Sequence, residues 1–243
     1  IVQYTDDLRR SNDELEQFAY VASHDLQEPL RMVARYLQLL EQRYSAQFDD
    51  DAKTFIGFAV DGATRMKTLI NDLLNVARIE EGRFGFTFQY KQLEPILNRA
   101  VNRFKKLAEE KGILLDTNLP IKHLPPLSLD EEKIAIVFDN LLDNAVKYTP
   151  PGGTVSFMVT EEPSLIRIVV KDSGIGIPAK QVARIFTKFF RADNAMLFQT
   201  AGNGLGLYVA KNIVETHGGT MSVESSENEG SIFTVIFPIR NRA

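Results

Sequence analysis

The sequence predicts an α+β fold in which a helical N-terminal third is followed by a mixed domain of helices and strands. Two observations predict it. Apolar residues recur at helical spacing from the start of the chain to about residue 80. After Gly82 the pattern changes, and amphipathic helical runs occur among runs that alternate apolar and polar residues. We therefore predict two domains, residues 1–82 and 83–243.

The composition is that of a soluble globular protein and narrows the choice of partners. Hydrophobic residues make up 44% of the 243 residues and charged residues 25%, and no apolar run is long enough to cross a bilayer. The net charge of -4 argues against nucleic acid as a partner, because binding phosphates requires a basic surface. The absence of cysteine excludes disulfides and thiolate metal sites. We expect a cytoplasmic, soluble portion of a longer protein, because the opening "IVQYTDDLRR" resembles the interior of a chain.

The first domain is predicted to be a helical hairpin. A heptad-like stripe occupies residues 1–22, continues past Pro29, and stops in the polar stretch "RYSAQFDDDAK". A second helical run then extends to Gly82, with Phe55, Met66 and Leu69 on one side. A lone hairpin cannot enclose a core, so we expect two copies to form a dimeric four-helix bundle.

The second domain is predicted to be a sandwich of helices on a mostly antiparallel sheet. Its elements, in order, are a strand-like "FGFTFQY", a helix in "LEPILNRAVNRFKKLAEEKG", a helix capped by Asp130, two strands joined near Pro163, an irregular region over 173–203, a helix over 205–216 and a closing hairpin, "GTMSVESS" with "GSIFTVIFPI".

Two glycine clusters, "DSGIGIP" from Asp172 and "GNGLGL" from Gly202, are typical of nucleotide sites. Glycine lets backbone N–H groups approach a phosphate, and "GNGLGL" leads into a helix whose N-terminus attracts anions. No Lys-Ser or Lys-Thr pair follows, so this is not a Walker loop. Asp172 ends an apolar strand and could accept hydrogen bonds from the amino group of adenine. An ordinary Asp-Ser-Gly turn explains it equally well.

Asn140, Asn144 and Lys147 recur at three- and four-residue spacing, so they share one face of a helix. Two amides and a lysine on an otherwise apolar helix are costly unless a polar ligand meets them. Magnesium carrying phosphate oxygens would do so, since this ion takes only one or two ligands from protein. For each residue taken singly, a solvated helix face is the alternative.

Together the motifs resemble the histidine kinases. "DNLLDNAVKYT", "DSGIGIP", "IFTKFFR" and "GNGLGL" look like the N, G1, F and G2 boxes of their catalytic domain, a GHKL-type (Bergerat) ATPase fold. "SHDLQEPL" resembles the H box of their dimerisation and phosphotransfer domain, in its phytochrome-like branch. The resemblance implies an ATP-dependent protein-histidine kinase of a two-component system, with ATP and Mg²⁺ as cofactors.

The resemblance also implies site residues. His24 would accept the phosphate, and Asp25 would accept a hydrogen bond from its ring and fix the tautomer. Asn144 would bind magnesium and Asp172 the adenine amino group. The other implied nucleotide contacts are Asn140, Lys147, Tyr148, Gly174, Gly176, Lys188, Arg191, Gly202, Gly204, Gly206 and Leu207. The lid aromatics Phe186, Phe189, Phe190 and Phe198 are expected to be packing residues. For His123 and His217 we expect no chemical role, and a helix C-cap explains the second.

The implied partners are a second copy of the chain, a response-regulator receiver domain, and an upstream sensor domain that this chain lacks. Glu28 stands four residues after the histidine, where Thr or Asn is common in the family, so the sequence leaves open whether the protein has phosphatase activity. Transfer within one subunit and transfer across the dimer both stay open. Two alternatives are a pseudokinase scaffold that binds a regulator without catalysis and a GHKL ATPase clamp.

Overall fold

In a computed structural model of the chain, the structure describes residues 26, 28–119, 124–199 and 202–239. The chain divides into two compact units, Ile1–Phe84 and Gly85–Ala243. The heptad-like stripe over 1–22 lies outside the described residues. Among the residues that are described, no helix combines the length and the apolar character needed to cross a membrane.

The described part of the first unit contains two helices, α1 over residues 28–44 and α2 over Asp50–Glu80, separated by a 3₁₀ turn at Ser45–Gln47. The α2 helix begins where Asp49 accepts a hydrogen bond from the backbone N–H of Ala52 at 2.7 Å. Large apolar side chains on both helices are exposed in the single chain, namely Met32, Val33, Tyr36, Leu39, Leu40, Phe55, Phe58, Met66 and Leu69. The two helices therefore leave many large apolar side chains uncovered in the single chain.

The second unit combines four helices and seven strands in its described part. The strands are β1 Gln89–Lys91, β2 Leu114–Asn118, β3 Leu127–Leu129, β4 Thr154–Glu162, β5 Leu165–Asp172, β6 Thr220–Ser226 and β7 Gly230–Pro238. The helices are α3 Glu94–Glu110, α4 Glu131–Tyr148, α5 Asp193–Phe198 and α6 Gly206–Thr216. Asp130 caps α4 as predicted, with its carboxylate accepting from the N–H of Lys133 at 3.1 Å.

Five of these strands form one sheet in the order β2-β4-β5-β7-β6, and β1 pairs with β3. Helix α4 packs between α3 and α6 and contacts β5, so three helices form one layer on the sheet. The core between the layers includes Phe138 of α4 and Phe157 of β4, whose rings meet edge to face at 6.0 Å. The predicted α+β fold is confirmed.

Three details differ from the sequence prediction. Of "FGFTFQY", only Gln89 and Tyr90 are in a strand, because the partner strand β3 has three residues and pairs only with 89–91. Strands β2 and β3 were not predicted, and β2 runs parallel to β4 in an otherwise antiparallel sheet. The region predicted as irregular contains the short helix α5 and a 3₁₀ turn at Val182–Arg184.

Candidate active site

Asp172 lies at the buried end of the central strand β5. Every second residue of this strand faces the helices, and the inward row Ile166, Ile168 and Val170 ends at Asp172, which is 5% exposed. Its carboxylate accepts a hydrogen bond from the N–H of Gly174 at 2.9 Å. Burial raises the pKa of Asp172 to about 6, although hydrogen bonds from the backbone of Gly174 and Ser231 oppose the shift. A donor from a ligand would stabilise this buried carboxylate.

The polar face of α4 meets the start of α6. The Asn140 amide donates to the carbonyl of Ile136 at 2.9 Å, while its Oδ1 lies where a side chain at position 206 would start: a Cβ on Gly206 would be 2.2 Å from it. Asn140 therefore lies directly against the first turn of α6. Asn144, one turn further along α4, is half-buried, and its side chain makes no hydrogen bond with another described residue. Its amide oxygen is suited to a hard cation that holds phosphate and water as its other ligands.

Positive charge gathers at the C-terminal end of α4. The Nζ of Lys147 lies 5.1 Å from the centroid of the Tyr148 ring, and a Cβ on Gly202 would be 2.8 Å from that Nζ. Burial lowers the pKa of Lys147, as does the neighbouring Arg191, while Asp143 raises it. Burial raises the pKa of Tyr148, and a hydrogen bond with Arg191 opposes this shift. Two cations beside the second glycine cluster form a suitable place for phosphate oxygens.

Arg191 also organises the lid, the segment over 178–205. Its Nη2 donates to the carbonyl of Ala195 at 3.3 Å and to that of Gln199, so the guanidinium closes the C-terminal end of α5. Lys188, on the same segment, has its Nζ 5.4 Å from the centroid of the Tyr208 ring on α6. Leu207 is half-buried in the first turn of α6. Both predicted lid cations thus lie against elements that carry other predicted site residues.

Backbone geometry requires glycine at three positions of the clusters. Gly174 passes so close to the end of α4 that a Cβ would be 2.4 Å from the Tyr148 carbonyl oxygen. Gly204 has φ +70°, and a Cβ there would be 2.6 Å from the carbonyl oxygen of Phe190. Gly176 has φ +60°, and a Cβ there would be 1.8 Å from the Ser226 carbonyl oxygen at the β6–β7 turn. The two glycine clusters therefore approach α4, the lid and the β6–β7 turn at backbone distance.

The prediction for the lid aromatics was wrong for two of the four. Phe189 and Phe198 are 63% and 45% exposed. Phe186 and Phe190 are half-buried against cationic side chains, with Lys211 Nζ 4.9 Å from the first ring centroid and Arg184 Cζ 4.4 Å from the second. The lid thus presents part of its apolar surface outward.

The predicted phosphoacceptor residues His24 and Asp25 lie outside the described residues, as does His123. Glu28 is exposed on α1. His217 is the C-cap of α6, as the sequence predicted, with Nδ1 2.7 Å from the carbonyl of Ile213.

The sequence analysis did not predict Asn194 and Ser231 as site residues. The amide of Asn194 in α5 donates to the carbonyls of Ile175 and Gly176 at 3.3 and 3.0 Å, which attaches the lid to the first glycine cluster. Ser231 is buried opposite Asp172 in the β5–β7 register. Only the inward alternation of β7 could have indicated Ser231, and no local pattern marks Asn194.

Comparisons with known proteins find two domain families in the chain. Residues 14–82 match the His Kinase A (phospho-acceptor) domain family, and residues 129–241 match the histidine kinase-, DNA gyrase B- and HSP90-like ATPase family. The phytochrome-like protein Cph1 of Synechocystis is 36% identical over 99% of this chain, and the sensor histidine kinase WalK of Bacillus subtilis is 34% identical over 95%. The chain spans 31% and 38% of the length of these two relatives.

Solved structures of histidine kinases share the fold. Full-length ShkA in complex with AMPPNP superposes with a TM-score of 0.72 at 25% identity, covering 93% of this chain and 46% of that one. The catalytic domain of ThkA superposes with a TM-score of 0.55 at 26% identity, covering 63% of this chain and 95% of that one. The second unit therefore has the GHKL-type ATPase fold. Together the two domain matches show that the chain is a sensor histidine kinase core, with phytochrome-like proteins among its relatives.

Proposed function

We propose that this chain binds ATP with Mg²⁺ in its second unit, phosphorylates its own His24, and passes the phosphoryl group to an aspartate of a response-regulator receiver domain. The observation that carries the proposal is the buried carboxylate of Asp172, which lies in the same unit as the two glycine clusters and the cationic end of α4. The AMPPNP complex of ShkA supports an adenine nucleotide as the ligand. Residues 1–82 would be the dimerisation and phosphotransfer domain and 83–243 the ATP-binding domain. Because ATP is the substrate, we place this portion in the cytoplasm.

Each residue has a specific task in the proposed site. Asp172 accepts the adenine amino group, Asn144 offers its amide oxygen to the metal, and Lys147 and Arg191 face phosphate oxygens. Magnesium, when bound, would neutralise phosphate charge during the transfer. Backbone N–H groups of Gly202, Gly204 and Gly206 close on the phosphates. The supporting residues are Asn140, Tyr148, Gly174, Gly176, Lys188 and Leu207.

The proposed reaction has two steps. One ring nitrogen of His24 attacks the γ-phosphorus, so that an N–P bond forms and the bond to the bridging β-phosphate oxygen breaks, with ADP leaving. Asp25 accepts a hydrogen bond from the other ring nitrogen and stabilises the imidazolium as it develops. An aspartate oxygen of the receiver domain then attacks the phosphorus, and the N–P electron pair returns to the imidazole.

Incubation of the whole chain with γ-labelled ATP and Mg²⁺ tests this function. We expect the wild type to take up label that mild acid removes and alkali does not, and His24→Gln to take up none. His123→Gln is the matched control, and it should be labelled like the wild type. A wild type without label, or label that persists in His24→Gln, contradicts the proposal. ATP binding without any labelling would favour the scaffold alternative.

The homodimer is proposed from the uncovered apolar surface of the hairpin. Phe55 is 66% exposed in the single chain, which is unfavourable for a helix residue of a stable soluble monomer. We expect Phe55→Glu to halve the mass measured by light scattering. Tyr90→Glu, at a site 46% exposed in the second unit, should leave the dimer intact. A wild type that is monomeric at micromolar concentration contradicts the proposal.

A further inference from the structure

His217 joins three parts of the second unit at one point. Its Nε2 accepts a hydrogen bond from the backbone N–H of Asp130 at 2.9 Å, where α4 begins. Its ring lies edge-on to Phe86 and Phe88, with centroids 5.5 and 5.0 Å away. We call Asp130, His217 and residues 86–88 the His217 clasp.

Asp130 completes the clasp with both carboxylate oxygens. Oδ1 caps α4 through the N–H of Lys133, and Oδ2 accepts from the N–H of Thr87 at 2.8 Å. The side chain is 7% exposed, so its hydrogen bonds are largely protected from water. Residues 85–88 have no regular secondary structure, and the hydrogen bond at Thr87 and the edge-on contacts of Phe86 and Phe88 with His217 help to hold them to the unit.

The hydrogen bonds define the tautomer of His217. Nδ1 faces the carbonyl of Ile213, an acceptor, so this nitrogen carries the proton. Nε2 faces the N–H of Asp130, a donor, so this nitrogen presents its lone pair. The clasp therefore needs the neutral ring. Burial lowers the pKa of His217, which agrees with that requirement, although the hydrogen bond to Ile213 and the charge of Asp130 oppose the shift.

The clasp lies at the far end of the two helices that carry the nucleotide residues. Helix α4 begins at the clasp and reaches Lys147 and Tyr148 at its other end, about 27 Å away for its 18 residues. Helix α6 runs the opposite way, from Gly206 beside Asn140 to the clasp. None of these clasp contacts among the described residues involves a predicted site residue, and the packed helices α4 and α6 connect the clasp to the site.

We infer that the His217 clasp is a positioning device for phosphotransfer, which fastens the first residues after the phosphoacceptor unit to the common end of α4 and α6. The inference rests on the proposed kinase function. With the clasp closed, the segment that follows the first unit is held at residues 86–88; with it open, these residues lose the hydrogen bond at Thr87 and the ring contacts of His217, and the next regular pairing begins at β1 with Gln89. A more loosely held segment lowers the effective concentration of bound ATP at the histidine without altering the nucleotide site.

Two matched pairs of variants test the inference in the whole chain. Thr87→Pro removes the backbone N–H that donates a hydrogen bond to Asp130. Thr87→Ala keeps this N–H and changes only an exposed side chain. His217→Phe keeps a ring against Phe86 and Phe88 but has no acceptor for the backbone N–H of Asp130. His217→Gln retains an acceptor for that N–H. We expect Thr87→Pro and His217→Phe to lower the rate of autophosphorylation at saturating ATP about fivefold. Thr87→Ala and His217→Gln should stay within about twofold of the wild type.

The affinity for a non-hydrolysable ATP analogue separates positioning from a general structural role. All four variants should bind it within about twofold of the wild type, because the clasp contacts no nucleotide residue. Unchanged rates in Thr87→Pro and His217→Phe overturn the inference, and so does a loss of nucleotide affinity that parallels the loss of rate. A wild type that is never labelled overturns the proposed kinase function instead. In that case, faster hydrogen exchange at the Thr87 amide in His217→Phe would still show that His217 holds the clasp together.

Discussion

The two ends of the α4–α6 pair differ in how their polar groups are satisfied. At the clasp end, Asp130 and His217 find their partners within the protein, at 2.7 to 3.1 Å. At the opposite end, the carboxylate of Asp172 is buried at the cost of a raised pKa, and burial lowers the pKa of Lys147. The difference teaches that one end stabilises the folded unit, whereas the other holds charges that a ligand would stabilise.

Asp172→Asn should have the largest effect and should separate binding from stability. Loss of the charged acceptor is expected to weaken ATP binding about 10- to 100-fold, the range for a hydrogen bond to a charged group. The same change should stabilise the free protein by up to about 3 kcal/mol at pH 7, because a pKa of about 6 in place of 3.8 means that burying the charge costs that much. Calorimetry and urea unfolding measure the two effects.

The pH dependence of this stability gain has a definite sign. The folded protein protonates Asp172 as the pH falls through 6, before the unfolded chain does near 3.8, so the advantage of the variant should shrink on acidification. Asp116→Asn, at an exposed position of β2, is the control and should change neither quantity. A stability gap that widens toward pH 5 would contradict this account of Asp172.

Asp130→Ala tests the clasp end, where we expect a loss of stability. The change leaves the N–H groups of Thr87 and Lys133 without their acceptor, and it should lower the free energy of unfolding by about 2–3 kcal/mol. Asp130→Asn retains one acceptor oxygen and should cost about half as much. Urea unfolding monitored on the second unit gives both values. A gain in stability from either variant would show that the two ends do not differ as proposed.

Asn194→Asp tests the attachment of the lid to the first glycine cluster. The substitution is isosteric but places an oxygen against the carbonyls of Ile175 and Gly176, so it should raise the KM for ATP about tenfold. Asn194→Ala, which removes the donor without adding repulsion, should raise it less. Equal KM values in both variants and the wild type would show that Asn194 does not contribute to nucleotide binding.

The smallest expected effect is that of His217 on the stability of the protein at acid pH. Because burial lowers the pKa of His217 in the folded protein, the unfolded chain takes up the proton first as the pH falls below 6.5. His217 therefore reduces stability at acid pH, by at most about 1.4 kcal/mol at pH 5.5, and not above pH 7. His217→Gln should lack this loss. Unfolding curves at pH 7 and 5.5 that shift equally in both proteins would contradict the tautomer assignment.

The sequence predicted those features that follow from local periodicity. The alternation of β4 and β5, the capped helix α4, and the end of α6 at His217 all depend on neighbouring residues, and the structure has them where expected. The roles of the site residues stay predictions.

The features that the sequence did not reveal depend on long-range pairing. Asn194 meets residues 18 and 19 positions away, and Asp130 meets residues 43 and 87 positions away. "FGFTFQY" alternates like a strand, but its Thr87 N–H bonds to Asp130 rather than to a neighbouring strand. No local pattern could predict this hydrogen bond, because its acceptor, Asp130, lies 43 residues further along the chain.

The magnesium dependence of ATP binding tests the central claim most directly. Calorimetry of the whole chain with a non-hydrolysable ATP analogue should give an affinity that Mg²⁺ raises at least about tenfold, and Asn144→Ala should bind the analogue with little response to Mg²⁺. A wild type without measurable affinity for the analogue, or an equal magnesium effect in both proteins, would contradict the account.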